Sequence, residues 1–534
     1  MPEYLAPGVY VEEINVGPRP IEGVSTSTAA FLGETERGPE APKLITSFLQ
    51  YQRWYGGYIP DRSYLTYAVQ GFFDNGGQRC FVGRIVSGTL TLVSNTRGGL
   101  LFRAIGRGRW GGNIMIKIED ASQRNRNPDW FRLTVLWYAR RPDPFIDPTS
   151  QAVADLTNKA RRDPDALEVY DNLTHQPGAS NNVITVVNAA SQLVRVAWPG
   201  GPTTAAPVGN ADLDWLGDEG DADPVLDDSD FIGDDRPVAG VADDLLGRGR
   251  GLTAIEMIDE VSLLCVPDHV HAVIDSNIRD AIREAVLNQC ETLKDRFAIL
   301  SVDQGQNDPQ LPAPNGLIPP RDTSYGAIYH PWIEVFDPPT NSRRRIPPVG
   351  HVTGIIARTD IERGVHKAPA NEVVRGALNL EFPVPKRLQD MLNPRGINCI
   401  RDFRSDGRGI RLWGARTMAS DPLWKYINVR RLFLYIEESI DEGTQWVVFE
   451  PNDFATWAAV TRTITNFLIS VWRSGGLMGL TQEEAFFVRC DRTTMSQDDI
   501  DNGRLICVIG IAPVKPAEFV IFRISQKTAD AQQA

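Results

Sequence analysis

Apolar and polar positions along the chain predict a mixed series of strands and helices. A short strand is predicted at 8–14, and the apolar run "TAAFLG" within 26–37 is typical of a buried strand. Residues 62–74 predict a helix, which an "NGG" turn joins to a strand at 79–86. From 249 to 370, buried strands such as "RFAILSVD" alternate with an amphipathic helix, "IRDAIREAVLNQCETL". That alternation is typical of a mainly parallel sheet covered by helices.

The region between these two parts has a different pattern. Residues 90–200 are rich in strand-like stretches, among them "GTLTLVS", "NIMIKIED", "WFRLTVLWYA" and "NNVITVVN", and a helix is predicted near 162–173. The segment 211–247 holds thirteen Asp or Glu and one basic residue, Arg236. With its Gly and Pro content it is typical of an exposed, flexible loop. A cation site built from its Asp residues is an alternative, although the spacing of a calcium-binding loop is missing.

The C-terminal part predicts the clearest helices. Apolar residues recur on one face of "NVRRLFLYIEESI" and of "FATWAAVTRTITNFLISVWRSGG". The second helix has Asn452 or Asp453 as its N-cap and Gly475 or Gly476 as its stop. A strand, "GRLICVIGIAP", follows. The last predicted strand lies within 515–526 and contains an unbroken apolar block: Phe519, Val520, Ile521 and Phe522.

Composition narrows the class of protein without assigning any chemistry. The net charge is −13, which argues against a nucleic-acid duplex as a partner. Six cysteines are scattered singly, without close metal-ligand spacing, so we predict reduced and mostly buried thiols. The first residues lack the basic and apolar regions of a secretory signal, and no apolar run approaches the roughly 18–20 residues that span a bilayer. We therefore expect synthesis and folding in a cytoplasm.

Patterns typical of enzymes are few in this sequence. Gly106, Gly108 and Gly111 have a dinucleotide-binding spacing, but a strand-like stretch follows where such a site needs a helix, which favours a structural turn. His269 and His271 would share one face of a strand as metal ligands, whereas a loop or surface position is the commoner arrangement. The sequence contains no P-loop and no G-x-S-x-G elbow. The members of a Ser–His–Asp triad need not be adjacent, so a hydrolase with an α/β core stays an alternative.

Long stretches of the sequence resemble one protein family. They begin with "APGVYVEEI" and "TAAFLGETERGP", include "RWGGNIMIKI" and "DEVSLLCVPD", and become nearly continuous in "SYGAIYHPWIEVFDP", "PPVGHVTGIIARTDIERGVHKAPAN", "LNPRGINCIRDFRSDGRGIRLWGARTM", "WKYINVRRLFLYIEESIDEGTQWVVFEPND", "EEAFFVRCD" and "IGIAPVKPAEFVIFRISQ". These strings are similar to those of contractile tail sheath proteins from phages and phage-derived injection machines. The resemblance is dense in the C-terminal half, good in the first 90 residues and weak over 120–250.

The resemblance implies a multidomain α+β fold with an inner α/β core built from both ends of the chain. The implied domains are an N-terminal arm (1–25), a first part of the inner core (26–88), an outer β-rich domain (89–248) with the acidic loop 211–247, a central α/β domain with a non-catalytic subtilisin-like fold (249–370), a C-terminal inner sheath domain (371–514) and a C-terminal arm (515–534). A shared fold does not establish function, and no catalytic pattern of that protease family carries over to this sequence.

The resemblance also implies a structural role without catalytic residues. Sheath subunits of this kind form six-membered rings, which stack as a helical sleeve around an inner tube and contract to drive the tube through a target envelope. Their terminal arms exchange strands with neighbouring subunits. The implied intersubunit residues are Val9, Tyr10, Val11, Glu12 and Ile14 in the N-terminal arm, and Phe519, Val520, Ile521, Phe522 and Ile524 in the C-terminal arm.

The implied partners are other copies of the chain, the inner tube protein, and baseplate and tail-terminator proteins. No cofactor, metal, direct nucleic-acid contact or membrane insertion is expected. Arg473, Lys425 and Arg404 are candidates to face the tube, with ordinary solvated or intramolecular charges as the alternative for each. The assembled chain would belong to a phage tail or an injection particle. A capsid or binding module that uses the acidic loop is a third alternative, beside the sheath and the hydrolase.

Overall fold

Contacts divide the chain into two units. The structure, a computed structural model, describes residues 20–59, 61–200, 210–218, 224–234, 249–307 and 317–523. The larger unit is Ser25–Arg431, and the smaller unit combines Met1–Val24 with Leu432–Ala534. The predicted mixed α/β chain with several sheets is confirmed at this level.

The described part of the larger unit contains strands and helices in alternation. Its strands are β1 (Ala29–Gly33), β2 (Lys43–Ile45), β3 (Cys80–Arg84), β4 (Ser94–Arg97), β5 (Leu100–Ala104), β6 (Ile114–Asp120), β7 (Phe131–Trp137), β8 (Ala166–Leu173), β9 (Val194–Ala197), β10 (Asn210–Trp215), β11 (Leu263–Cys265), β12 (Phe297–Ser301), β13 (Gly326–His330), β14 (Ile333–Asp337), β15 (Ser342–Ile346), β16 (Glu372–Val373), β17 (Asn379–Leu380), β18 (Ile397–Asp402) and β19 (Ile410–Trp413). Its helices are α1 (Phe48–Tyr55), α2 (Leu65–Asp74), α3 (Val153–Leu156), α4 (Val183–Ala190), α5 (Asp228–Ile232), α6 (Gly251–Glu256), α7 (Ser276–Leu293), α8 (Val349–Arg363) and α9 (Lys386–Leu392).

A nine-stranded sheet forms the centre of the larger unit. Its strand order is β16-β19-β18-β13-β12-β11-β1-β3-β2, and the six strands from β18 to β3 run parallel. Every residue of β1, β11 and β12 is buried, as their continuous apolar sequences require for strands covered on both faces. The predicted parallel sheet is thus confirmed. It takes strands from three of the predicted domains, whose boundaries stay predictions.

The two edges of this sheet are short and antiparallel to their neighbours. The strand β2 at one edge has three residues and pairs antiparallel with β3. The strand β16 at the other edge has two residues and pairs antiparallel with β19. Short edge strands offer few unpaired backbone groups to another chain.

Helices α2 and α8 pack closely against each other beside this sheet. A Cβ atom at Gly350 of α8 would lie 2.2 Å from the carbonyl oxygen of Ala68 of α2, which is far inside van der Waals contact. Glycine is therefore required at this position by the close approach of the two backbones.

The β-rich region of the larger unit has two sheets around one core. Their strand orders are β10-β6-β7-β8 and β4-β5-β9, and Phe102, Leu133 and Val187 are among the residues of the shared core. The helix predicted near 162–173 is wrong, because that stretch forms β8, which pairs with β7. The strand predicted at "NNVITVVN" is also wrong, because the valines pack at helical spacing in α4. In α4, packing overrides the strand preference of β-branched residues. In β8, pairing with β7 makes a strand of a stretch that has few β-branched residues.

The acidic segment is not a loop throughout. Its described residues include β10, which pairs with β6, and α5, which begins at a capping box formed by Asp227 and Asp230. Leu216, Leu226 and Phe231 are buried in the cores of the larger unit. The prediction of a continuous exposed loop is therefore wrong, because a few well-spaced apolar residues anchor the segment despite its high charge.

The smaller unit is mainly helical in its described part. Its elements are α10 (Ile427–Thr444), which begins in the larger unit, α11 (Phe454–Arg473), α12 (Gln482–Ala485), β20 (Phe486–Arg489), α13 (Gln497–Asp501) and β21 (Val508–Ile511). The prediction of two long helices is confirmed, and the side chain of Asp453 caps α11 by accepting a hydrogen bond from the Thr456 N–H at 3.0 Å. The predicted apolar face of α11 is buried except at Phe454, which is 77% exposed.

Candidate functional site

The smaller unit contains a two-stranded antiparallel sheet with open edges. Strands β20 and β21 pair from Phe486 opposite Ile511 to Arg489 opposite Val508. Among the described residues, no third strand pairs with either of its outer edges. An isolated two-stranded ribbon is marginally stable, and its unpaired N–H and C=O groups can accept another strand.

The outer face of this sheet and the segment after it expose large apolar side chains. Phe487 is 48% exposed and Val508 is 43% exposed. Residues 515–523 form neither helix nor strand, so the strand predicted within 515–526 is wrong for the described part of that segment. Their four successive apolar side chains are 68 to 82% exposed: Phe519, Val520, Ile521 and Phe522. A contiguous exposed apolar stretch of this kind marks a site of protein–protein contact.

A groove runs between α11 and β20. It has a volume of about 400 Å³ and is lined by Phe454, Trp457, Thr461, Val488 and Arg489, among others. The groove combines exposed aromatic surface with a strand of the open sheet. A groove beside a strand of an open sheet is a candidate site for a peptide that adds a strand and places alternate side chains in a pocket.

The structure describes only some of the predicted arm residues. Val9, Tyr10, Val11, Glu12 and Ile14 lie outside the described residues, and so does Ile524. Sequence patterns did not single out Phe487 or the groove. The signal was present in "EEAFFVRCD", where two adjacent phenylalanines put an apolar side chain on each face of one short strand.

The three candidates to face a tube differ in their surroundings. Arg473 is exposed at the end of α11 and makes no ion pair with another described residue. Lys425 is partly buried, with its ammonium 5.1 Å from the ring centroid of Tyr426. Arg404 is exposed but pairs with Asp402 at 2.5 Å. Arg473 lies in the smaller unit, whereas Lys425 and Arg404 lie in the larger one, and all three stay predictions.

The crevice where doubly wound folds bind ligands is filled by the chain itself. Strand order reverses between β1 and β11, and Asp268 follows β11 at this point. Its carboxylate accepts hydrogen bonds from the Tyr64 N–H at 2.6 Å, the Ser63 hydroxyl at 2.7 Å and the Glu34 N–H at 3.4 Å. Burial raises the pKa of Asp268 to about 7. In enzymes of this fold class the equivalent crevice is open to substrate.

The other sequence candidates have structural surroundings. His269 lies in a short 3-10 helix, Pro267–Val270, and His271 follows that helix in a loop. Both side chains are buried, so the strand and the surface position are wrong, whereas the loop position is confirmed for His271. The Nδ1 atom of His269 lies 2.5 Å from the Val266 carbonyl oxygen, and burial lowers the pKa of His269 to about 4. The described residues contain no cluster of three or more His, Cys, Asp or Glu able to hold a metal. The glycine turn at 106–111 runs into a short 3-10 helix, Arg109–Asn113, and the predicted strand follows as β6.

All six cysteines are free thiols in this structure. Five of them are buried, which confirms the prediction that most are buried. In the described part of the chain, no helix combines the length and apolar character that crossing a membrane requires.

Comparison with known families decides the identity of the chain. Residues 247–418 match the phage tail sheath protein central domain, and residues 419–527 match the phage tail sheath C-terminal domain. The chain belongs to the contractile tail sheath family. Together the two matched sheath domains cover more than half of the chain, including the open sheet and the groove.

Individual sheath proteins are similar over shorter stretches. A tail sheath protein of Vibrio phage KVP40 is 26% identical over 40% of this chain and 31% of its own length. A tail sheath protein of Burkholderia phage BcepMu is 30% identical over 28% of this chain and 33% of its own length. A prophage major tail sheath protein of Pseudomonas aeruginosa is 28% identical over 36% of this chain. The chain therefore spans about half or less of the length of these relatives, from 31 to 49%.

Solved structures of sheath proteins share the fold over nearly the whole chain. The sheath of an extracellular contractile injection system in the contracted state has a TM-score of 0.58 at 22% identity, covering 99% of both chains. The helical sheath of the anti-feeding prophage in the contracted state has a TM-score of 0.57 at 24% identity, covering 98% of this chain and 100% of that one. At these identities the likeness shows a common sheath fold.

Proposed function

We propose that this sheath-family chain is a structural subunit of a contractile tail sheath, which polymerises as stacked hexameric rings around an inner tube and contracts to drive the tube through an envelope. The observation that carries the proposal is the coexistence of an exposed apolar segment, 515–523, with an open-edged sheet in the same unit. The segment has apolar side chains without a partner strand, and the sheet has strand edges without a further strand among the described residues. A segment from one copy that pairs with β20–β21 of another copy completes both.

The contact would be strong enough to persist while subunits rearrange. Burying the four apolar side chains at 519–522 contributes roughly 6–12 kcal/mol as a gross upper bound. Strand addition also satisfies the unpaired backbone groups of the accepting edge. Body-to-body contacts can then break and re-form during contraction, which is a switch between two packings of the same subunits. The N-terminal arm at 8–14 is proposed to contribute a second exchanged strand.

The remaining roles follow from the same proposal. The larger unit, including the central region 249–370 with its predicted subtilisin-like fold, serves as a non-catalytic body. Arg473 is the first candidate to meet the inner tube, because its charge is exposed. Baseplate and terminator proteins would contact the two ends of the sleeve. The chain would be made in a cytoplasm and assembled into a phage tail or an injection particle.

Truncation of the exposed segment tests the proposal directly. A variant without residues 515–534 should stay folded and soluble, because the described residues removed make no contribution to a core. It should form no striated sleeves in electron micrographs. The matched control lacks only residues 527–534, keeps the apolar block and should form sleeves. Sleeves of normal length from the longer truncation would contradict strand exchange by this segment.

A further inference from the structure

Two cysteines extend the short sheet of the smaller unit by one position. Cys490 follows β20 directly and Cys507 precedes β21 directly. The register of the sheet ends with Arg489 opposite Val508, so continuing it places Cys490 opposite Cys507. This register contains no bulge between its first and last pairs.

The hydrogen-bond pattern tells which kind of pair the two cysteines form. The Ala512 N–H donates to the Ala485 carbonyl oxygen at 2.9 Å, which makes these two residues a hydrogen-bonded pair. Hydrogen-bonded and non-hydrogen-bonded pairs alternate along an antiparallel ribbon. Continued one step beyond its last observed pair, the register places Cys490 and Cys507, five positions further on, at a non-hydrogen-bonded pair. In such pairs the Cα atoms are about 4.5 Å apart and the side chains approach closely. That separation lies within the range that a disulfide requires.

The side chains of the pair meet in one apolar cluster. Cys490 is buried, Cys507 is partly buried, and both pack in the cluster that contains Trp457 and Met495. The two thiols lie close enough that each affects the pKa of the other. Burial raises the pKa of Cys507 to about 12 and also raises that of Cys490. Both groups are therefore thiols at neutral pH, which keeps their oxidation slow.

We propose that Cys490 and Cys507 are a modification site: a dithiol that closes to a cross-strand disulfide when a low-molecular-weight disulfide is present. The thiolate of Cys507, which is the more accessible sulfur, attacks the small disulfide and releases one small thiolate. The Cys490 thiolate then attacks the mixed disulfide and releases the second. Overall, two protein thiols are oxidised to one disulfide, the small disulfide is reduced to two thiols, and the two protons pass to these products.

The disulfide would join the two residues that flank segment 491–506, which contains α13, at the end of the two-stranded sheet. The sheet that this bridge holds is the one with open edges. Closing it restricts the opening of β20 and β21 without adding a contact on their outer face. The proposal rests on the geometry of one chain and does not depend on the proposed function.

Mass spectrometry of the full-length protein tests the site. After incubation with oxidised glutathione, alkylation should find four thiols in place of six, and a non-reduced digest should contain one peptide pair joining Cys490 to Cys507. The rate should rise about tenfold per pH unit below the thiol pKa, because the thiolate is the attacking species. Hydrogen exchange of the β20 and β21 amides should slow by roughly a hundredfold, the entropic estimate for a loop of this size.

Cysteine-to-serine variants test whether the disulfide joins these two cysteines and no others. Cys507→Ser removes the partly exposed sulfur and should leave five alkylatable thiols after oxidation. Cys290→Ser changes a buried cysteine of the larger unit, and the cross-linked peptide should still form in it. Persistence of six thiols in the oxidised wild type, glutathione retained on Cys507, or pairing with any other cysteine would overturn the assignment. A bridge that leaves hydrogen exchange of the ribbon unchanged would overturn its proposed effect on the sheet.

Discussion

The two units of the chain differ in where they bury charge and where they expose contiguous apolar side chains. In the larger unit, the guanidinium of Arg431 is 3% exposed and donates to both carboxylate oxygens of Asp360, at 2.9 and 2.7 Å. In the smaller unit, apolar side chains such as Phe487 and Phe522 face outward. The larger unit satisfies its buried charges from within its own fold. The smaller unit exposes apolar groups that another chain could bury, so under the proposed function folding and assembly depend on different parts of the sequence.

The largest expected effect concerns the buried ion pair. Asp360→Ala leaves the Arg431 guanidinium buried without a counter-charge and should lower the free energy of unfolding by about 3–5 kcal/mol. Urea denaturation, with hydrogen exchange of peptides from the larger unit, measures this loss. The control is Asp498→Ala in the smaller unit, which breaks the exposed pair with Arg504 and should cost under about 1 kcal/mol. Equal losses in the two variants would contradict the contrast.

Acidification should also affect the larger unit, because all histidines lie there. Burial lowers the pKa of His269, His330 and His351 to about 4 each, below the unfolded value of about 6.5. Between these values the unfolded chain binds more protons, so stability falls as pH falls from about 6.5 towards 4. The raised pKa of Asp268 acts in the opposite direction over the same interval. Burial also raises the pKa of four other carboxyl groups of this unit, which oppose the histidines in the same sense: Glu36, Asp74, Asp230 and Glu381. The contribution of one histidine is therefore isolated best by its own variant.

Replacing one histidine should reduce this pH dependence by a measurable step. His330→Gln removes one titrating group, so the slope of unfolding free energy against pH should decrease by up to about 1.4 kcal/mol per pH unit. Urea midpoints at pH 7.5, 6 and 5 provide the slope. His366→Gln is the control, because this histidine is only partly buried and should change the slope less. If the slope of His330→Gln equals that of the wild type, the pKa of His330 in the folded protein is not lowered, which contradicts the prediction.

Phe486 and Phe487 are neighbours on β20 and allow a buried and an exposed apolar side chain to be compared within one strand. Phe487→Ser acts on a half-exposed ring that packs on Gly510 and lies beside Arg489, so it should cost about 1–2 kcal/mol, while sleeve formation is lost. Phe486→Ser acts on the buried face and should destabilise the unit by several kcal/mol, on the scale of about 3–5 kcal/mol for removing a buried aromatic ring. Thermal melting and electron microscopy give the two readouts. Comparable destabilisation by both variants would mean that the outer face already has a partner within the chain.

The smallest expected effect on stability is that of a surface charge. Arg473→Glu should leave unfolding unchanged within about 0.5 kcal/mol and weaken co-sedimentation with the inner tube protein. Arg404→Glu should affect co-sedimentation less, because Asp402 already neutralises that guanidinium. Unchanged co-sedimentation of Arg473→Glu would remove this residue from the tube-facing candidates.

Sequence patterns predicted the elements whose packing is uniform along their length. The continuous apolar runs of β1 and β12 and the one-sided period of α11 each allow a single arrangement, and these elements form where they were expected. Patterns were misleading for β8 and α4, where partners distant in sequence decide between strand and helix. The arm residues at 519–522 were visible as an apolar block, whereas the groove depends on which faces of α11 and β20 meet. Such a meeting of faces is a property of the folded chain.

The short antiparallel strands at both edges of the nine-stranded sheet affect how the chain aggregates at high protein concentration. A phage tail or injection particle requires many copies of one chain in a small volume, where long flat sheet edges would stack into fibrils. With only three residues in β2 and two in β16, lateral growth of this sheet gains few hydrogen bonds. The edges of this sheet therefore disfavour amyloid-like association between crowded copies. Ordered association must use other surfaces of the molecule.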